Sequence, residues 1–271
     1  MKHLSSAIAA ITLIATMAAP IAAFAHDSST TGTSPTKPTM TAASCNARAD
    51  ALIKLITKQQ ADGKLVKKQA ETNDKYLKRK ADADKKLADY RAKVDDRIAK
   101  NHTKLGTKKW TKNPALQAAL TAYQAAIARA LSTRRAAVDA AIAAYRTATS
   151  AALSTMQNAV TSAVATRDAA ILSAANTLKT ACSSTDPATL KAAMATFRTA
   201  SDTARKAYQA SVKTARTAYA DSIKPARTTE QAGIKSAMDT YKTSAKTAWD
   251  ALAAAIKAAK TTTTSTSSTT P

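Results

Sequence analysis

Residues 192–257 read AAMATFRTASD, TARKAYQASVK, TARTAYADSIK, PARTTEQAGIK, SAMDTYKTSAK and TAWDALAAAIK, six blocks of eleven with no remainder. The second position of every block is alanine: Ala193, Ala204, Ala215, Ala226, Ala237 and Ala248. The sixth is Phe197, Tyr208, Tyr219, Glu230, Tyr241 or Leu252, and the tenth is mostly Val or Ile. Residues 118–183 continue the frame for six more blocks, again with alanine at every second position.

Eleven residues in three turns is about 3.67 per turn, slightly above the relaxed helix, so an apolar stripe stays on one face with little supercoiling. A heptad count from Leu120 misses Ile142 and Tyr145, whereas elevens reach Leu131, Ile142, Leu153 and Val164. On a helical wheel the third, sixth and tenth positions lie together, and the small residues at positions two and nine form one edge. Gly233 belongs to that edge. The apolar arc exceeds about 100°, which suits two neighbouring helices better than one.

Ala, Thr and Lys dominate the 271 residues, Gly occurs only at positions 32, 63, 106 and 233, and no run alternates with period two. Alanine and lysine are good helix formers, so the composition predicts long helices and no sheet. The expected fold is all-α: a long antiparallel three-helix bundle with hendecad periodicity and disordered termini.

The boundaries follow from punctuation. Lys2 and His3 precede an apolar run from Ile8 to Phe24 that closes with Ala23-Phe24-Ala25, so residues 1–25 read as a secretory signal peptide cleaved after Ala25. Residues 26–43 are a Ser/Thr/Pro linker, and TTTTSTSSTTP at 261–271 is a low-complexity tail. Between them lie three predicted helices over about 44–105, 114–181 and 187–260. Gly63 is a weak point in the first, and Gly106 is placed to cap its end. Asn113-Pro114 and Asp186-Pro187 each read as a cap followed by proline at the first helical position. Pro225 takes a block position away from the stripe, so it should bend the third helix without ending it. The first helix's apolar residues include Leu52, Ile56, Leu65, Val66, Tyr76, Leu77, Leu87, Tyr90, Val94 and Ile98.

The two cysteines test the topology. In an up-down-up arrangement Cys45 opens the first helix and Cys182 closes the second, at the same end, and an exported chain with two cysteines is a candidate for one disulfide.

Catalytic signatures are missing from the sequence. His3, His26 and His102 have no metal-ligand spacing, no serine or threonine sits in a strand–turn–helix elbow, and no glycine-rich phosphate loop occurs. The expectation is a non-enzyme with no cofactor and no metal. With 41 Lys and Arg against 18 Asp and Glu, the chain is strongly basic, which favours anionic polymers or surfaces as partners. Candidate anion-binding residues are Arg205, Arg216 and Arg227, which hold the third position in successive blocks beside Tyr208 and Tyr219. A second cluster is Lys75, Lys78, Arg79, Lys80, Lys85 and Lys86, interleaved with Asp74, Asp82 and Asp84. Both sets also fit a plainer reading, in which arginine stems cover the large-residue edge and lysines solvate a helix face.

Three functions fit these features: an exported helical spacer and interaction protein of the cell envelope or extracellular space, a basic binder of nucleic acid or phosphate-rich envelope glycan, and a reversible lipid binder. The last rests on a resemblance. Eleven-residue amphipathic repeats rich in Ala, Lys and Thr are similar to those of exchangeable apolipoproteins and late-embryogenesis-abundant desiccation proteins. The expected disulfide and the large, regular apolar residues set this chain apart from both. Expected partners are thus an anionic surface polymer or nucleic acid, with self-association open and no membrane span left after signal cleavage.

Overall fold

The computed structural model describes residues 41–108 and 113–266. The signal segment, nearly all of the 26–43 linker and residues 267–271 of the tail lie outside them. All regular structure in the described residues is α-helical, with no strand: α1 (Ala42–Ala61), α2 (Lys64–Gly106), α3 (Pro114–Ala181) and α4 (Pro187–Thr266).

The first expected helix is two helices. Gly63 adopts φ 59°, a left-handed conformation that ends α1 and lets α2 restart at Lys64. α1 also starts two residues earlier than expected. Thr41 is its cap: the Thr41 hydroxyl accepts the Ser44 N–H at 3.2 Å, and the Ser44 hydroxyl accepts the Thr41 N–H at 3.1 Å. Gly106 is not a left-handed cap but the last residue of α2, which closes by a tightened turn from the Lys108 N–H to the Leu105 carbonyl.

Asn113 and Asp186 do start the following helices. The Ala115 N–H donates to Asn113 Oδ1 at 2.9 Å. Asp186 accepts from the N–H groups of Ala188 and Thr189 and from the Thr189 hydroxyl, the last at 2.6 Å. That hydroxyl, with the two amides, holds the Asp186 carboxyl below the usual carboxylate range. α4 passes through Pro225 and runs six residues beyond the expected Lys260. Extending an existing helix costs no nucleation, and the Thr261 hydroxyl donates to the Ala258 carbonyl at 2.7 Å.

The helices divide between two compact units. The first contains the described residues up to Lys86 together with Ala165–Ala207; the second contains Leu87–Val164 and the chain from Tyr208 onward. In the first unit, Cys45, Ala49, Leu52 and Ile56 of α1 share one core with Ile171, Ala175, Leu178 and Cys182 of α3 and with Leu190, Met194 and Phe197 of α4. The spacings of three and four put each set on one helix face. Cys45 and Cys182 form a disulfide with Cα atoms 5.4 Å apart, and Lys179 Nζ lies 2.6 Å from Asp50. Both pairs match α1 against α3 in opposite chain directions.

In the second unit two ion pairs, Arg91–Asp139 and Arg135–Asp95, both at 2.5 Å, match α2 against α3 in opposite directions too. Leu120, Ile127, Leu131, Leu153 and Val160 of α3 and Val212 and Leu252 of α4 are buried there.

Alanines at the second block position are buried (Ala204, Ala215, Ala237, Ala248) or half-buried (Ala193, Ala226). At Gly233 an added methyl would lie 3.2 Å from the Ala141 Cβ, so α3 and α4 approach closely in the second unit.

The two glycines should therefore answer oppositely to alanine. Gly63→Ala meets nothing within 4 Å yet must hold a left-handed backbone, and should cost about 1 kcal/mol. Gly233→Ala gains about 1 kcal/mol of helix propensity against the tight Ala141 contact, and should be near neutral. Urea unfolding of both variants checks this; a larger loss at Gly233 would mean that α3 and α4 cannot give way there.

α2 departs most from expectation. None of its 43 residues is buried. Leu65, Tyr76, Leu87 and Ile98 are half-buried, one every eleven residues, whereas Val66 and Leu77 are 67% and 56% exposed. One residue along a helix is a rotation of about 100°, enough to carry Val66 and Leu77 off the covered side.

Candidate functional site

The basic cluster of α2 lies open to solvent. Lys75, Lys78, Arg79, Lys80, Lys85 and Lys86 are all exposed, as are Asp74, Asp82 and Asp84 among them. The helix that carries them is held by half-buried apolar residues and, further along, by the Arg91–Asp139 and Asp95–Arg135 ion pairs, so these six cations take no part in anchoring it.

The arginine row on α4 is set deeper. Arg205 in the first unit and Arg216 and Arg227 in the second are half-buried. Arg227 lies in the field of Glu230, as does Arg146 of α3. Burial pushes the Glu230 carboxyl above the usual carboxylate range, and the two guanidiniums only partly offset this. Arg227 thus already serves an internal carboxylate. Tyr208 and Tyr219 are half-buried, leaving limited ring surface for stacking.

Two constellations in the second unit join residues far apart in the sequence. The Arg134 guanidinium sits between two rings, 5.1 Å from the Tyr241 centroid and 6.0 Å from that of Tyr90, and Nη2 donates to the Tyr90 hydroxyl at 3.5 Å. Sequence reasoning did not single out Arg134, because its ring partners lie on two other helices. The second is an aromatic run, with edge-on contacts of 6.2 Å from His102 to Tyr123 and 6.0 Å from Tyr123 to Trp249. Trp249 is 48% exposed, while burial, then the neighbouring Tyr241, raises the Tyr123 hydroxyl pKa. His102 is half-buried beside Tyr123.

The first unit hides a charge pair of its own. Asp168 is buried, and its Oδ1 takes Arg167 Nε at 2.8 Å and Nη2 at 2.6 Å.

Between α3 and α4 of the second unit runs an open groove of about 530 Å³, lined by small residues such as Ala130, Ala137, Gly233 and Ala237 and by Arg129, Arg134 and Tyr241. It is the direct product of the small-residue edge. Among the described residues no three His, Cys, Asp or Glu side chains gather as metal ligands. No known protein family, curated protein or solved structure matches this chain.

Proposed function

We propose that this chain is an exported, non-enzymatic helical spacer and interaction protein of the cell envelope or extracellular space, built as an antiparallel hendecad bundle. One observation carries the interaction half of this reading: α2 buries none of its residues while presenting six cations to solvent. A helix kept only for its contribution to a core would bury a stripe. Export is supported by the residues 1–25 pattern and by the Cys45–Cys182 bridge, which persists in oxidising compartments. No described helix is long and apolar enough to cross a membrane.

The exposed cations favour anionic polymer as the partner. An oligothymidylate or polyphosphate probe should bind with a log K that falls linearly with log salt. Changing Lys75, Lys78, Arg79, Lys80, Lys85 and Lys86 to Gln should flatten the single-strand slope by up to about 4. Binding of unchanged slope in that variant would remove α2 from the interface, and binding insensitive to salt would remove the electrostatic reading altogether. Circular dichroism with anionic vesicles separates the lipid reading, since a self-packed protein is fully helical in buffer and a lipid binder gains helix on contact.

A further inference from the structure

The second unit contains a small cavity of about 20 Å³ between α2 and α3 whose polar lining is Tyr90, Arg91, Arg134 and Arg135. Leu131 and Val138 belong to its apolar wall. We propose that this cavity is a binding site for one small monovalent anion of chloride size.

Charge is the first argument. Three guanidiniums line the space, and two carboxylates engage two of them: Asp139 holds Arg91, and Asp95 holds Arg135. Arg134 is held by the faces of Tyr90 and Tyr241, which stabilise a cation without neutralising it. One positive charge is left over in a half-covered pocket, with no carboxylate among the lining residues to offset it.

Hydrogen bonding is the second. Arg135 spends Nη2 on Asp95, but its Nε–H is buried and meets no acceptor in the protein. A buried donor on a charged group calls for a partner. The volume exceeds the roughly 10–15 Å³ that one water needs, room enough for a single small ion. Water fits the space but not the chemistry. A water brings no charge to offset the surplus cation, and the guanidiniums of the lining only donate. A halide is acceptor-only and singly charged, matching both the orphaned donor and the surplus cation.

The test uses the full chain in two experiments. Crystals soaked in bromide should show an anomalous peak within about 3.5 Å of Arg135 Nε. Chloride titrated against gluconate at constant ionic strength should raise the thermal midpoint saturably, by about 3–5 °C at tenfold excess over Kd. Arg135→Lys keeps the charge but deletes Nε, and Val138→Ile fills the cavity while leaving both ion pairs; each should abolish the chloride-specific rise. The rise is read within each variant, so altered basal stability does not obscure it. A water in the cavity of bromide-soaked crystals, or an equal chloride response in all three proteins, overturns the proposal.

Discussion

Replacing Cys45 and Cys182 together by alanine should lower the unfolding free energy by about 5 kcal/mol and the thermal midpoint by about 10–20 °C. The cysteines are 137 residues apart, and cross-linking so long a segment removes much entropy from the unfolded chain. Alanine is the right replacement because both positions are fully buried, where serine would add an unpaired hydroxyl. The loss should begin locally. α1 has 20 residues, near the length at which a helix in water is only marginally stable, and the bridge ties its first turn to the end of α3. Guanidinium unfolding with and without reductant measures the total, and the reduced wild type should match the double variant. Hydrogen exchange should show the amides around Ala49 and Leu52 deprotected first. A loss under 1 kcal/mol would mean that the shared core alone fixes α1.

Asp168→Ala should cost about 3–5 kcal/mol, as expected when one member of a buried ion pair is deleted. The carboxylate takes two nitrogens of Arg167, whose side chain is only 11% exposed, so the deletion strips a largely buried cation of this carboxylate. Asp168→Asn keeps an acceptor and should cost less. Joint replacement by Arg167→Met and Asp168→Leu should be milder than Asp168→Ala, because both charges of the buried pair leave together. A double-mutant cycle in urea gives the coupling, and a cycle energy near zero would make the pair incidental to stability.

What could be seen in the sequence was whatever is written locally. Asn113-Pro114 and Asp186-Pro187 announce helix starts because capping uses residues two or three apart. The disulfide was readable because two predicted helices of similar length bring Cys45 and Cys182 to one end. The alanine edge and buried Leu120, Leu131 and Leu153 follow from a repeat that holds its phase over six blocks in each of two helices.

Gly63 was harder, since a glycine looks alike whether it merely weakens a helix or takes φ 59° and ends it. Val66 and Leu77 read as core candidates because apolar character alone does not reveal which of two adjacent faces a neighbour covers. Partners distant in sequence were the least legible. The Tyr90–Arg134–Tyr241 sandwich joins three helices, and neighbouring positions such as Arg167 and Asp168 point about 100° apart on a bare wheel. Only the long Arg167 side chain curling back to Asp168 makes them a pair. The exposed α2 cations were recognised as a cluster, whereas the engagement of Arg227 with Glu230 depends on burial that a single sequence does not display.

The bridge has a mechanical consequence. Tension applied between the two ends of the chain enters α1 at Thr41 and, four residues on, crosses through sulfur to Cys182. The 137-residue span it bypasses, with α2 and α3, carries no load while the bond is intact. The covalent path then runs along α4 and leaves out the segment that carries the basic face of α2.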